Sequence, residues 1–269
     1  MKQQKLVVAN WKMNPSTEME AMELAKEVEK SSPSTSLRFA QEIEYSVVVC
    51  PPFPFLDVVG KILRKARLGS QDVFWENPPG GGGAYTGEVS VLQLKSVGVE
   101  YVIVGHSERR ELGDTDEIVA RKFQTVSEGG LIPILCVGEK KRELEVESCK
   151  LEAEKVFVKK QLESAFVKIK ELELRVKERV VVAYEPVWAI SSRSRGVSCA
   201  PDDVREMMCF IKEAFLQAQR ITPLVLYGGS VNAGNARGFL ELPEVDGVLV
   251  GSASLRLEEF KKIIEEAKF

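Results

Sequence analysis

Three side chains with complementary acid–base chemistry follow three separate apolar runs of this 269-residue chain. Lys12 follows the first run, His106, the only histidine, follows the fourth, and Glu185 follows the sixth. Asn10 and Glu108 lie two residues from Lys12 and His106, respectively. A carboxylate can move a proton while an imidazole and an ammonium stabilise the negative charge that develops. Each of these residues alone is more often structural or solvated, so the prediction depends on the elements that would bring them together.

Eight short apolar runs predict eight β-strands separated by helical segments. The strands are predicted at Leu6–Ala9, Ser46–Cys50, Arg67–Gln71, Tyr101–Val104, Leu131–Val137, Val180–Tyr184, Leu224–Tyr227 and Val245–Val250. Helices are predicted at Thr17–Lys30, Phe55–Lys65, Asp116–Glu128, Lys150–Lys177, Pro201–Gln219 and Leu257–Ala267. Alternating strands and helices indicate a parallel sheet, and eight such units close naturally into a barrel. We therefore predict an α/β protein that forms one (β/α)8 barrel domain over residues 1–269, with the acid–base residues at the carboxyl ends of its strands.

The composition favours an ordinary globular protein and excludes several functional classes. The 37 basic and 40 acidic residues give a formal charge of -3 and form no long block of one sign, so neither nucleic acid nor a membrane surface is predicted as a partner. The cysteines are odd in number and widely spaced: Cys50, Cys136, Cys149, Cys199 and Cys209. Their spacing predicts reduced thiols and no metal site. Because the first apolar run is far shorter than a signal-peptide core, we expect a cytoplasmic protein.

Small residues end the last two predicted strands and favour a phosphorylated ligand. They are Gly228-Gly229-Ser230 after the seventh strand and Gly251-Ser252 after the eighth. The corresponding loops of such barrels commonly hold a phosphate on their backbone N–H groups. A sugar-phosphate epimerase or an aldolase would also fit these turns, but those reactions need a metal cluster or a Schiff-base lysine, and the sequence suggests neither.

Two irregular stretches, Ser31–Glu44 and Glu76–Gly83, are predicted to be surface loops. The second contains four consecutive glycines, which prevent a stable helix or strand. It lacks the Gly-Lys-Ser/Thr that follows the glycines of a phosphate-binding loop, so we predict no phosphate cradle there.

Seven sequence blocks, in order along essentially the whole chain, resemble the triosephosphate isomerase family. They are Ala9–Asn14, Ala84–Glu88, Gly105–Arg110, Cys136–Glu139, Ala183–Ile190, Tyr227–Asn232 and Asp246–Ser254. The resemblance implies a TIM barrel that interconverts dihydroxyacetone phosphate and D-glyceraldehyde 3-phosphate, a step of glycolysis and gluconeogenesis. It also implies that no metal or organic cofactor is used.

The resemblance implies a role for each polar residue of the predicted rim. Glu185 would move a proton between adjacent carbons through an enediolate, and His106 would donate a hydrogen bond as a neutral imidazole. Lys12 would add positive charge, and Asn10 would orient a substrate oxygen. Glu108 would position Lys12 or relay protons.

The resemblance also implies a phosphate site and a lid. Backbone N–H groups of Ser191, Ser230, Gly251 and Ser252 would bind the phosphate. The family's lid usually carries Gly-Thr-Gly-Lys, whereas this chain has Ser191–Ala200, which contains two arginines and is about three residues longer. We expect those arginines to face solvent.

A homodimer is implied by Thr86, Glu88 and Arg109. In the family, the loop that carries the first two residues enters the neighbouring subunit, where the Glu lies near the Arg. The insertion Asn77–Gly83 lengthens this loop and adds loop entropy.

One alternative comes from a different class of protein, a catalytically weakened barrel that binds phosphometabolites or serves as a scaffold. Its mark would be the loss of Glu185, His106 or Lys12, and all three are present.

Overall fold

Eight parallel strands close into a barrel in a computed structural model that describes residues 5–33, 45–139, 147–170, 180–190 and 199–268. The strands are β1 Lys5–Asn10, β2 Tyr45–Cys50, β3 Arg67–Ser70, β4 Tyr101–Val104, β5 Ile132–Val137, β6 Val181–Tyr184, β7 Leu224–Tyr227 and β8 Gly247–Val250. Each strand pairs with the next in the chain, and β8 pairs with β1. The predicted (β/α)8 barrel is confirmed, and the strand boundaries differ from the prediction by at most two residues.

The helices of the described residues follow the strands in the chain, and the last one follows β8. They are α1 Glu18–Ser31, α2 Leu56–Gly60, α3 Val91–Ser96, α4 Ser107–Glu111, α5 Asp116–Glu128, α6 Glu147–Lys170, α7 Pro201–Gln219, α8 Ala236–Leu240 and α9 Leu257–Glu266. Short 3-10 turns occur at Phe53–Phe55, Pro79–Gly81, Val187–Ala189 and Ser252–Leu255.

The long helices match the sequence pattern, and the short ones do not. The predicted helix Phe55–Lys65 was too long. A 3-10 turn precedes α2, which begins at Leu56 and ends at Gly60. Neither α3 nor α8 was predicted, because five or six residues are too few to show a 3.6-residue period. Residues 171–177 of the predicted sixth segment lie outside the described residues.

Strand side chains alternate between the barrel interior and the surrounding helices. Val8, Val48 and Leu249 belong to an apolar cluster inside the barrel. Val7 and Val49 belong to the cluster between the barrel and its helices. Because both faces of a parallel strand are covered, the strands are almost continuously apolar, and polar side chains appear only where the strands end.

The inserted loop before the predicted dimer residues is braced by side chains that flank it and by one on α5. The Tyr85 hydroxyl donates to Glu76 at 2.6 Å, and Arg121 donates to the other oxygen of the same carboxylate at 3.0 Å. Gly80 and Gly81 adopt left-handed φ angles of 76° and 73° in a 3-10 turn. The loop predicted at Glu76–Gly83 is therefore correct, and the glycines supply its turn.

The described residues contain no helix that is both long and apolar enough to cross a membrane.

Candidate active site

A cavity of about 150 Å³ lies at the carboxyl ends of the barrel strands. Its lining includes the predicted Asn10, Lys12, His106, Glu108, Glu185, Gly251 and Ser252. Barrel closure brings these residues together from β1, β4, β6 and β8. The arrangement predicted from strand ends is therefore present, although the residues are separated by up to 242 positions in the chain.

Glu185, directly after β6, is 2% exposed and held from two sides. Its Oε2 accepts a hydrogen bond from the backbone N–H of Ser107 at 3.2 Å, and its Oε1 lies 3.3 Å from Nε2 of His106. Behind it, a Cβ on Gly138 would come within 1.8 Å of the Glu185 carbonyl oxygen. Glycine at position 138 therefore permits the close approach of the β5 and β6 ends that places this carboxylate.

His106 caps the N-terminus of α4 with its own ring. Its Nδ1 accepts the backbone N–H of Glu108 at 3.2 Å. A ring nitrogen that accepts a hydrogen bond carries no proton, so this geometry fits the neutral tautomer with its proton on Nε2. Since Nε2 lies beside Glu185, the only imidazole in the chain presents a donor at the carboxylate.

Lys12 lies in a left-handed backbone conformation, with φ at 54°. Its N–H donates to Oδ1 of Asn10 at 3.0 Å, and its ammonium donates to Oε1 of Glu108 at 2.7 Å. The ammonium also lies beside Gly251, where an added Cβ would be 3.9 Å from Nζ. Asn10 thus holds the backbone of Lys12, and Glu108 holds its ammonium group.

The small-residue turns only partly match the predicted phosphate site. Gly251 and Ser252 line the cavity, and Ser252 begins a 3-10 turn. Ser230 is not part of the cavity lining, and its N–H donates to the carbonyl of Ala189 at 3.0 Å. The phosphate-binding role of Ser230 therefore stays a prediction, and it requires release of this hydrogen bond. Ser191, with most of the predicted lid (191–198), lies outside the described residues.

The predicted dimer residues occupy different environments. Thr86 and Glu88 are exposed on the loop that follows β3. Arg109 contacts carboxylates of its own chain, with Nε 2.9 Å from Asp72 and a terminal nitrogen 3.6 Å from Asp114. Those two contacts hold the guanidinium at the base of the same loop.

A second buried carboxylate, Glu139, lies behind the segment that carries Glu185. It follows β5, is 3% exposed, and accepts hydrogen bonds from Nε1 of Trp188 at 2.6 Å and from the Tyr184 hydroxyl at 3.2 Å. Burial, assisted by the nearby Glu154 carboxylate, raises the pKa of Glu139 to about 7 despite the donors. Glu139 therefore titrates near neutral pH while contacting residues on both sides of Glu185.

Replacing Glu139 by Gln is expected to remove a pH-dependent part of the stability. Because folding raises the pKa from 4.5 to about 7, the protonated form favours the folded state. This stability is complete below pH 4.5 and is lost as pH rises through 7. Relative to Glu139→Gln, the wild type should lose about 3 kcal/mol between pH 5 and 8.5, measured by urea unfolding.

Glu163→Gln, on the exposed face of α6, is the matched control and should show no such trend. A difference between wild type and Glu139→Gln that stays constant with pH would contradict the raised pKa.

Two contributors to this region were missed from the sequence, although the pattern contained a signal for both. Gln71 ends the third predicted strand, and Glu139 follows the fifth. The reasoning that selected Lys12 and Glu185, polar residues at strand ends, applies equally to them. Gln71 donates from Nε2 to the carbonyls of Lys12 at 2.8 Å and Cys50 at 2.9 Å.

Within the described part of the chain, no group of three or more His, Cys, Asp or Glu side chains is arranged to hold a metal ion. Cys136 lies inside the barrel, where burial and the neighbouring Glu185 carboxylate raise the pKa of its thiol.

A closed parallel barrel with a carboxylate, an imidazole and an ammonium around one rim cavity defines an α/β-barrel enzyme of the acid–base type. The family model for triosephosphate isomerase matches residues 5–267. The chain belongs to the triosephosphate isomerase family, a family of isomerases.

Curated relatives match the chain over nearly its full length. The triosephosphate isomerase of Aquifex aeolicus (strain VF5) is 40% identical over 269 aligned residues, which cover 97% of this chain and 98% of the relative. That of Synechococcus sp. (strain JA-2-3B'a(2-13)) is 40% identical, covering 96% and 95%, respectively. That of Dictyoglomus thermophilum is 38% identical, covering 97% and 98%.

Proposed function

We propose that this protein interconverts dihydroxyacetone phosphate and D-glyceraldehyde 3-phosphate, as a step of glycolysis and gluconeogenesis. The observation that carries the proposal is the 3.3 Å distance between Oε1 of Glu185 and Nε2 of His106, in a cavity that Lys12 also lines. A proton acceptor and two oxyanion stabilisers are the groups needed to move a proton next to a carbonyl. The names of the relatives support the same activity.

The reaction follows from the positions of these groups. The Glu185 carboxylate takes a proton from the carbon next to the carbonyl, and the C–H electron pair forms the carbon–carbon double bond of an enediolate. The carbonyl oxygen becomes negative, and Nε2–H of His106 and the Lys12 ammonium stabilise it. Nε2 of His106 gives its proton to this first oxygen and takes the hydroxyl proton of the other oxygen, which becomes the carbonyl, while Glu185 returns the carbon-derived proton to the neighbouring carbon. Asn10 accepts the Lys12 N–H through Oδ1, so its NH₂ is the group that would orient a substrate oxygen.

Gly251 and Ser252 are the principal phosphate donors in this proposal. They line the cavity near the Lys12 ammonium, where an anion is favoured electrostatically. Ser230 would join them only after its bond to Ala189 is released. Ser191 remains a proposed donor on the resemblance alone.

Neither alternative function has a supporting observation. A weakened, ligand-binding barrel would not need the described contact between Glu185 and His106. An epimerase or aldolase would need a metal cluster or a Schiff-base lysine, and the Lys12 ammonium instead pairs with Glu108 at 2.7 Å.

The test is conversion of D-glyceraldehyde 3-phosphate by the purified chain, with product measured through a coupled dehydrogenase. We expect turnover far above the uncatalysed rate in both directions. Turnover at background would contradict the proposal. In that case, protection against thermal unfolding by the same substrate would identify a binding protein instead.

We propose a cytoplasmic homodimer in which the loop bearing Thr86 and Glu88 contacts the second copy. The loop is exposed, and the Glu76 contacts brace it in the single chain. Free thiols at Cys50 and Cys136 are compatible with a reducing compartment.

The dimer proposal predicts a mass twice that of the 29.9 kDa chain in multi-angle light scattering. The fraction that carries the enzyme activity should elute at this mass. An active monomer at assay concentration would contradict the dimer and leave the proposed reaction intact.

A further inference from the structure

The backbone of Lys12 is held in a conformation that needs outside support. Among the described residues, only Lys12 and Arg220 combine a side chain with a left-handed φ, at 54° and 58°. Arg220 is the C-cap of α7, where this conformation is common. Lys12 ends no helix, so neighbouring groups must impose its backbone geometry.

One side chain fixes the carbonyl of Lys12. Nε2 of Gln71 donates to this carbonyl at 2.8 Å and to the carbonyl of Cys50 at 2.9 Å. The Cys50 carbonyl also accepts the N–H of Trp11 at 3.2 Å. Gln71 therefore links the Lys12 carbonyl to Cys50, the last residue of β2. Cys50 is also bonded to Trp11, the residue before Lys12.

We propose that Gln71 is a positioning residue for the proposed isomerisation, acting through the backbone of Lys12. Its amide holds the left-handed turn that directs the Lys12 ammonium to Glu108 and Gly251. Gln71 does not line the cavity, so it acts on the reaction without touching the substrate. This inference rests on the proposed function, because it assigns Gln71 to the same site.

The chemistry of this position selects an amide. Two carbonyl oxygens face Nε2, and an NH₂ group has two protons to donate to them. A Glu of the same length would place a carboxylate oxygen against two carbonyl oxygens. A Met of similar length would fill the space and donate to neither. Because both substitutions keep the side-chain volume and remove the donated hydrogen bonds, a shared loss of activity would be due to the hydrogen bonds.

The first test compares kcat and KM for Gln71→Met, Gln71→Glu and a matched control, Gln219→Met. Gln219 also donates its amide to a carbonyl, that of Phe166 at 3.2 Å, between α6 and α7. We expect kcat/KM to fall about 10- to 100-fold in both Gln71 variants, as for a displaced catalytic group, and to stay within about twofold in the control. Folded Gln71 variants with unchanged kcat/KM, in an assay where the wild type is active, would overturn the inference.

The second test measures binding of inorganic phosphate by NMR titration, which does not depend on turnover. It compares wild type, Gln71→Met, Lys12→Met and the double variant. If Gln71 acts through Lys12, the double variant should bind phosphate as weakly as Lys12→Met and no weaker. Losses that add would overturn the inference. An inactive wild type that still shows this non-additive binding would instead contradict the proposed function, and only the support of Lys12 by Gln71 in anion binding would stand.

Discussion

Glu185→Gln is expected to lower kcat about 1,000-fold while leaving KM nearly unchanged. Gln has the same shape and can still accept the Ser107 N–H through its amide oxygen, while its NH₂ then faces Nε2–H of His106 and that contact is lost. The amide is not basic and cannot take the proton from carbon. The measurement is steady-state kinetics in both directions with the coupled assay.

The matched control is again Glu163→Gln, a Glu to Gln change on the exposed side of α6. Its kcat should equal that of the wild type. If Glu185→Gln retained more than a tenth of the wild-type kcat, the carboxylate would not be the base.

Lys12→Met should lower kcat/KM about 100- to 1,000-fold, the second largest effect we expect. Met has a similar apolar stem but no charge, so it removes the positive group from the developing oxyanion and the phosphate. It also removes the ammonium that lies 2.7 Å from the Glu108 carboxylate, so this negative charge in the cavity lining is less well compensated when an anionic substrate binds. The loss should therefore appear in KM as well as in kcat.

A second substitution separates these two causes. Adding Glu108→Gln to Lys12→Met should recover part of the lost substrate affinity, because it removes the repulsive carboxylate. Glu108→Gln alone should cost less than Lys12→Met. If the double variant bound substrate more weakly than Lys12→Met, Glu108 would have a role beyond holding the ammonium.

The barrel could be predicted because its signals are local and repeated. Apolar runs of four to six residues indicate buried parallel strands, and β7, Leu224–Tyr227, has the predicted first and last residues. Helix α5 likewise matches its predicted span, with Thr115 as its N-cap. The ends of such strands meet at one rim, so the rim position of Lys12 and Glu185 followed from topology.

The parts that were missed depend on contacts that the strand pattern does not contain. Nothing in the chain's periodicity shows that Lys12 is left-handed, or that Gln71 reaches its carbonyl 59 residues away. The Ser230 N–H bonds to the carbonyl of Ala189 because the two segments pack together, and packing between segments distant in the chain is not visible in the strand pattern. The raised pKa of Glu139 depends on burial and on the proximity of Glu154, and neither appears in the sequence near it.

The central claim is that Glu185 carries a proton between two carbons through an enediolate, and reaction in D₂O tests it most directly. A proton held on a carboxylate can exchange with solvent before it is returned to carbon. NMR of the product formed by the wild type in D₂O should therefore show deuterium bound to the carbon next to the carbonyl, and Glu185→Gln should form such product only at its residual rate. Substrate and product interconverted many times by the wild type that stay free of carbon-bound deuterium would contradict the account, since this would indicate transfer without release of the proton to an exchangeable base.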